Sequence, residues 1–194
     1  MRTLNIGSSA GHKNYVKFSA KTNSWSVRGT DGEDREIQLP TFVADLDNIE
    51  TGWMRLRKGQ APERVMDPSD REAPKPGDDF KRGFVMTVFS PTFFNGAAEF
   101  SSNAVHLSDA VRQVYREYAA AKELNPGKLP VIACTGSQPM KDPHGTNYRP
   151  ILTIVRWVDR PPELPNVSPV EASEIWQGPT TPPPPEPKLS DPVF

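Results

Sequence analysis

A tryptophan and two arginines stand at every second position of the segment GWMRLR. Side chains two residues apart in a β-strand point to the same side, so Trp53, Arg55 and Arg57 would share one face, opposite Met54 and Leu56. An indole offers a surface on which a nucleobase can stack, and guanidinium groups neutralise phosphates. The same spacing is typical of a half-covered tryptophan on an ordinary solvated face, and the sequence favours neither interpretation.

Other basic and aromatic residues follow the same pattern in neighbouring segments. Tyr15 and Lys17 alternate with Val16 and Phe18 in the first extended segment. If these strands belong to one sheet, we expect their aromatic and basic side chains to meet on one face, which would suit a single-stranded nucleic acid. The strand candidates for this contact are Tyr15, Lys17, Trp53, Arg55, Arg57, Lys58, Lys81 and Arg82.

Two loops add further candidates. Phe93 and Phe94 directly precede the turn-forming pair Asn95-Gly96, and an exposed phenylalanine there would stack on a base with about 1–3 kcal/mol. The alternative, that at least one of them folds back over the end of the sheet, is somewhat favoured. Tyr148 and Arg149 end a polar loop before the last predicted strand, where analogy of fold predicts a second binding loop.

The elements that must position these residues are mostly strands. One helix is predicted over about 108–123 with Ser108 as its N-cap, and a proline-rich loop over 58–79. The order of three strands, one helix and two strands predicts a mainly β fold, a five-stranded Greek-key barrel of the oligonucleotide/oligosaccharide-binding (OB) type with one α-helix between the third and fourth strands. The predicted extended segments are 14–28 with a turn at 21–23, 37–57, 80–90, 97–103, 129–135 and 151–158, with a polar loop over 136–150.

The C-terminus differs in composition from the rest of the chain. Residues 162–194 hold ten of the 22 prolines, with five acids and one base, so they carry −4 while residues 1–161 carry +3. Because this segment has few apolar residues and no periodicity, it predicts a disordered, flexible tail on a single domain of residues 1–161. A basic body joined to an acidic end points toward a polyanionic ligand.

Several protein classes and site types are not expected. No apolar run approaches the roughly 20 residues that cross a bilayer, and the N-terminus lacks the apolar core of a secretory signal, so we expect a cytoplasmic protein. One cysteine and three histidines show no zinc-ligand spacing, and no phosphate-binding or nucleophile-elbow motif is present. Cys134 is predicted to be a buried, unreactive thiol. Asp45, Asp47 and Glu50 match no standard calcium loop, so we expect no metal, cofactor or catalytic residue.

Three sequence blocks resemble single-stranded DNA-binding proteins of tailed bacteriophages and related prophages. They are LDNIETGWMRLRKGQAPERVMDP, the strand KRGFVMTVFS followed by EFSSNAV, and GKLPVIACTGSQP followed by WVDRP. The resemblance extends over most of residues 14–165. It implies an OB-type protein that coats and protects single-stranded DNA with little sequence preference during phage or prophage replication or recombination, in the bacterial cytoplasm and without a cofactor.

The C-terminus carries a second resemblance. Bacterial and phage single-stranded DNA-binding proteins commonly end in a flexible tail with acids and a terminal phenylalanine, which replication and repair proteins recognise. This chain ends LSDPVF, so the resemblance makes Asp191 and Phe194 partner-binding candidates, although Lys188 and the single nearby acid depart from the pattern. A nuclease-like enzyme of DNA metabolism and a protein–protein adaptor are the alternatives, and the sequence leaves monomer and dimer open.

Overall fold

The computed structural model of this protein describes residues 14–57, 60–143 and 145–164. These residues form one ten-stranded sheet with one long helix, so the prediction of a mainly β fold with one helix is confirmed. Within them, no helix is both long and apolar enough to span a membrane. The strands are β1 Asn14–Ser19, β2 Ser24–Arg28, β3 Asp34–Ile37, β4 Thr41–Ala44, β5 Glu50–Arg55, β6 Glu63–Met66, β7 Lys81–Ser90, β8 Gly96–Ser102, β9 Lys128–Asp142 and β10 Gly145–Asp159; the helices are α1 Pro91–Phe94 and α2 Val105–Ala121, with 3₁₀ turns at Leu46–Asn48 and Lys122–Leu124.

The sheet follows the order β10-β9-β4-β7-β8-β1-β2-β3 and is antiparallel except for the pair β1–β8. β5 continues along β7 where β4 ends, and β6 lies beyond β5. The two ends of the sheet approach each other where the Tyr148 amide donates to the Ala20 carbonyl at 2.7 Å. In the described part of the chain β10 does not pair with β1, β2 or β3, so the sheet is not a closed barrel.

The hydrophobic core lies between the curved sheet and α2. β7 contributes Phe84, Met86 and Val88, which alternate along the strand and point to one side. We call this side of the sheet the helix face and the opposite side, which carries Val85 and Thr87, the outer face. From α2 the core receives side chains at helical spacing, namely Leu107, Ala110, Val111, Val114 and Tyr118.

Two opposed glycines allow β5, β6 and β7 to approach closely. Gly52 pairs directly with Gly83 in the β5–β7 ladder. A Cβ atom on Gly83 would lie 2.4 Å from the Ser102 carbonyl oxygen and 2.5 Å from Met54 Sδ, and one on Gly52 would lie 2.5 Å from the Val65 carbonyl oxygen. Any side chain at these two positions would therefore force the strands apart.

Several boundaries differ from the sequence predictions. The predicted extended segment 37–57 is divided into β4, a 3₁₀ turn and β5. The helix begins at Val105 rather than Ser108, with Ala104 as its N-cap. Residues 136–150 are not a loop but form most of the long β9–β10 hairpin. Because neither side of this part of the hairpin is deeply buried, its residues are mostly polar, and the sequence therefore lacks the alternation that predicts a strand. The predicted loop over 58–79 contains the short strand β6.

The packed body extends beyond the predicted domain boundary at residue 161. Leu164 is 1 % exposed, and its carbonyl accepts a hydrogen bond from Arg160 Nη1 at 3.3 Å. Arg160 also forms ion pairs with Asp45 at 2.9 Å and Asp47 at 2.7 Å. Residues 162–164 are therefore part of the body, whereas the rest of the predicted tail, residues 165–194, lies outside the described residues.

Candidate nucleic-acid interface

The structure separates the predicted contact residues onto opposite sides of the sheet. Trp53 pairs directly with Arg82 in the β5–β7 ladder, and Arg82 alternates with Phe84, so both side chains lie on the helix face. Tyr15 pairs with Glu99 in the β1–β8 ladder, on the outer face. The expectation that the two strands present these residues together is therefore wrong. Alternation shows which residues share a face within one strand, but not which faces of distant strands coincide.

The outer face carries an acidic groove over β7 and β8. The cavity has a volume of about 800 Å³ and begins next to Leu164. Its charged lining residues are one base and four acids: Arg64, Asp45, Glu50, Glu99 and Glu163. Arg64 donates to Glu99, so the only lining cation is already neutralised. Arg160 likewise neutralises Asp45, so Glu50 and Glu163 are the lining acids that give this groove its negative charge, which disfavours phosphate groups.

Tyr15 and Lys17 border this outer face. Tyr15 is 38 % exposed, so its ring is accessible. Lys17 Nζ lies 3.7 Å from Asp34, and Arg28 Nε donates to the same carboxylate at 2.9 Å. The hydrogen bond from Arg28 lowers the pKa of Asp34, which keeps this carboxylate charged beside both cations. Lys81 is also on this side of the sheet, exposed and without an ion-pair partner among the described residues.

On the helix face, Trp53 is half-buried, and two cations lie near its ring. Its Nε1–H donates to the Ala73 carbonyl at 2.7 Å, which fixes the orientation of the indole ring. The Arg82 guanidinium carbon is 5.3 Å from the ring centroid, and Lys75 Nζ is 5.8 Å from it. An aromatic ring with a fixed orientation and two adjacent positive charges can stack on a base and attract its phosphate.

A single carboxylate holds the segment after β6 against β5 and β7. Asp67 accepts hydrogen bonds from Thr51 Oγ1 at 2.6 Å, the Ala73 amide at 2.9 Å and Arg82 Nη1 at 2.8 Å. These donors, Arg82 first among them, hold the pKa of Asp67 far below its ordinary value. Asp67 therefore stays charged at any physiological pH and neutralises Arg82.

The other two arginines of the stripe meet exposed carboxylates. Arg55 donates to Glu63 at 2.9 Å and to Asp79 at 2.9 Å, and its guanidinium lies 4.8 Å from the centre of the Phe80 ring. Arg57 donates to Asp79 at 3.0 Å. Ion pairs at an exposed surface contribute about 0–1 kcal/mol, so a phosphate can take the place of these carboxylates at little cost.

The phenylalanines before Asn95 are not a stacking loop. Phe94 is 1 % exposed, and its ring centroid is 5.7 Å from that of Phe42 in the core. The expectation that Phe94 could stack on a base is wrong, and the alternative that at least one of the two folds back is correct. The physical reason is the single helical turn α1, capped by the Ser90 hydroxyl, which directs Phe94 inward. Phe93 is half-buried against the same core.

Tyr148 and Arg149 lie within the β9–β10 hairpin. Tyr148 is half-buried and packs against the core, while Arg149 Nη2 donates to Gln138 at 2.7 Å. In the part of the chain that the structure describes, neither Arg149 nor Lys141 forms an ion pair with a carboxylate. This hairpin therefore offers a second set of available positive charges, close to the β1–β2 turn.

The other residues that the sequence singles out are paired within the protein, buried, or outside the described residues. Cys134 is buried as predicted, and burial raises the pKa of its thiol. Asp47 accepts hydrogen bonds from Tyr118 and Lys122, so it serves as a partner for protein side chains. Lys58, Asp191 and Phe194 lie outside the described residues.

Nothing in the residue spacing predicts the carboxylates that meet the arginines. Asp67, Glu72 and Asp79 lie in a segment without periodicity, and the only signal is that acids and bases are interleaved along residues 63–82. No protein family, curated protein or solved structure matches this chain.

Proposed function

We propose that this protein binds single-stranded DNA, with little sequence preference, across the helix face around Trp53. The observation that carries the proposal is the half-buried indole with the cations of Arg82 and Lys75 at 5.3 Å and 5.8 Å from its ring centroid. Such a ring can stack on any base because every base has a π-face, and the cations beside it can hold the backbone. Paired bases are stacked inside a duplex, so this mode of contact favours single strands.

The distribution of charge favours the helix face over the outer face. In the outer groove, Arg64 neutralises Glu99 and Arg160 neutralises Asp45, which leaves Glu50 and Glu163 as a net negative charge. On the helix face, by contrast, Arg55 and Arg57 are neutralised by exposed carboxylates that a phosphate can displace.

The order of the strands supports an OB-type interpretation of the fold. The path β10-β9-β4-β7-β8 with α2 inserted between β8 and β9 corresponds to three strands, a helix and two strands, with β1, β2 and β3 as additions. OB folds bind oligonucleotides on the face of their second and third strands. These correspond to β7 and β8, whose outer face is acidic here, so our proposal places the DNA on a different side.

We further propose a role in phage or prophage DNA replication or recombination, in the bacterial cytoplasm. This part rests on the resemblance of the sequence blocks and of the LSDPVF end. In this proposal, Asp191 and Phe194 dock a replication or recombination protein, because a terminal apolar side chain beside an acid can anchor in a basic-rimmed pocket.

The first test is a fluorescence titration of the full chain with oligo-dT and with a duplex of the same length. We expect tighter binding of the single strand, and an affinity that falls as salt rises because counterions are released from neutralised phosphates. Equal affinity for the duplex, or binding that does not depend on salt, would contradict the proposal.

The second test compares two aromatic substitutions on opposite faces. Trp53→Leu removes the stacking surface, which should cost about 1–3 kcal/mol of binding free energy, or about 5- to 150-fold in affinity. Tyr15→Leu is the matched control because Tyr15 is an exposed aromatic residue on the outer face, and it should leave the affinity nearly unchanged. If the control weakens binding as much as Trp53→Leu, the DNA does not lie on the helix face.

A further inference from the structure

A cavity of about 380 Å³ opens between the β5–β7 ladder and α2, on the helix face. Thr51 and Arg82 line its sheet side, and Trp53 is the next residue of β5 on the same face. Arg82 therefore belongs both to the lining of the cavity and to the surroundings of Trp53. Its helix side consists of residues at i, i+3, i+4 and i+7 of α2, namely Ser108, Val111, Arg112 and Tyr115.

The lining of the cavity combines an apolar floor with a few polar groups. Ile49, Phe84 and Val111 form the apolar part. Tyr115 is 42 % exposed at the rim, so its ring is accessible. Pockets of a few hundred Å³ with mostly apolar and aromatic walls and a few convergent polar groups are typical of small-ligand sites.

One polar group in this cavity has no partner in the structure. The hydroxyl oxygen of Ser108 is buried and makes no hydrogen bond with the described residues, although the Ser108 amide bonds normally to the Ala104 carbonyl at 2.9 Å. A buried hydroxyl without a partner is costly, and a native protein retains one when a ligand or water completes it. The hydroxyl can both donate and accept, so it can meet the edge of any nucleobase.

The charges at the rim define what the ligand must be. Among the described residues, Arg112 forms an ion pair with Asp109 alone, one turn earlier on the same helix, and such a partly exposed pair is weak. Arg82 contributes a second guanidinium from the sheet side. A ligand with an aromatic ring, hydrogen-bonding edges and an anionic group fits this set, and those are the parts of a nucleotide.

We propose that this cavity binds one nucleotide of the single strand, with its base against Tyr115 and the Ser108 hydroxyl and its phosphate at Arg112. The proposal rests on the proposed function, since it extends the DNA path from Trp53 across Arg82 to α2. It assigns a role to a helix surface whose arginines would otherwise be part of an ordinary solvated face.

The direct test uses a mononucleotide, so it does not depend on strand binding. We expect dTMP, added to the ¹⁵N-labelled full chain, to shift the amide signals of Ser108, Arg112 and Tyr115 in a saturable way in NMR spectra. Inorganic phosphate alone and thymidine alone should each bind more weakly than dTMP, because each supplies half of the contacts. If dTMP at millimolar concentration leaves these signals unchanged, the cavity is not a nucleotide site.

The second test uses matched variants in oligo-dT titrations. Arg112→Gln should weaken binding several-fold, whereas Arg116→Gln, with the same charge change one turn further along α2 and outside the cavity lining, should have a smaller effect. Ser108→Ala should weaken dTMP binding while the melting temperature stays the same or rises, because the substitution removes an unpartnered group. A purely structural role for Ser108 would instead lower the melting temperature.

The possible failures are distinguishable. If wild-type protein binds oligo-dT and Arg112→Gln behaves like Arg116→Gln, the cavity proposal is wrong while the proposed function stands. If wild-type protein does not bind oligo-dT, the proposed function is wrong, and the dTMP titration still decides whether the cavity holds a nucleotide.

Discussion

Replacing Asp67 by asparagine should lower stability and raise DNA affinity at the same time. The Asp67 side chain is 13 % exposed and joins Thr51, the Ala73 amide and Arg82. Asparagine keeps the shape of the side chain but removes its charge. The segment that contacts Trp53 through the Ala73 carbonyl is then held less firmly, and Arg82 loses the carboxylate that neutralises it.

The stability cost follows from the hydrogen bonds that Arg82 donates to this carboxylate. A hydrogen bond to a charged group contributes about 1.5–3 kcal/mol, and the partly exposed Arg82 places the value for this pair near the lower end. We expect a loss of about 2 kcal/mol, which lowers the melting temperature of a domain of this size by about 4–8 °C.

The same substitution should change the dependence of stability on pH. The pKa of Asp67 in the folded protein lies below its ordinary value of 3.8. Its contribution is therefore complete at neutral pH and declines as the pH falls below about 4. The variant lacks this contribution at every pH, so its stability should approach that of the wild-type protein in acid.

The affinity of Asp67→Asn for DNA should rise, whereas its stability should fall. A guanidinium released from its carboxylate can contact one more phosphate, which should steepen the slope of log K against log salt by about 0.7. Asp70→Asn is the matched control, because it makes the same charge change on an exposed residue of the same segment. Thermal melting and oligo-dT titrations would be measured for both variants. If Asp67→Asn binds DNA no more tightly than Asp70→Asn, Arg82 is not a phosphate contact and the assignment of the helix face loses its main support.

Three other expectations follow from the structure. Gly83→Ala should destabilise the protein by about 2–3 kcal/mol in urea unfolding, because the new Cβ would lie 2.4 Å from a carbonyl oxygen. Gly77→Ala is the control and should have little effect, because its Cβ would meet nothing closer than 3.5 Å. A chain ending at Leu164 should melt like the full-length protein, but one ending at Arg160 should lose about 2 kcal/mol because the buried leucine is gone. Burial and the hydrogen bond to Asp47 raise the pKa of Tyr118 to about 12. Tyrosinate absorbance should therefore show a late-titrating tyrosine. The stability that the neutral phenol contributes should be lost as the pH rises from about 10 to 12. Titration of every tyrosine near pH 10 would contradict the last of these.

Local alternation predicts the strands on which the interface depends. The pair over 14–28 turns at 21–23 as expected, and the strand over 80–90 pairs with the following one. Within β5 the alternation is also correct, since Met54 is fully buried while Trp53 and Arg55 are half-exposed on the other side. These features depend on a period of two along one segment, which the sequence contains in full.

The features that the sequence does not predict are those that depend on distant segments. Which face of the sheet a residue of β1 shares with a residue of β5 depends on the pairing registers of β7 and β8, which lie between them. No local pattern therefore shows that Tyr15 and Trp53 point to opposite faces. The carboxylates that pair with Arg55 and Arg82 come from a segment without periodicity. In such a segment the sequence does not show whether a carboxylate pairs with an arginine or is only solvated. Phe94 points inward because the residues before it form one capped helical turn. The pair Asn95-Gly96 is equally typical of a hairpin tip, so it does not predict this turn.

The neutralised arginines around Trp53 limit how strongly salt can affect binding. Arg55 and Arg57 already pair with Glu63 and Asp79, so a phosphate that binds them displaces a carboxylate, which must then attract a counterion of its own. The net number of ions released at these positions is close to zero, although the contacts themselves form. The measured salt slope should therefore count mainly contacts to cations that have no carboxylate partner among the described residues, and it should be smaller than the total number of phosphate contacts implies. Stacking on Trp53 is independent of this exchange, so it should supply a larger share of the binding free energy as salt rises, and Trp53→Leu should lower the affinity by the same factor at low and at high salt.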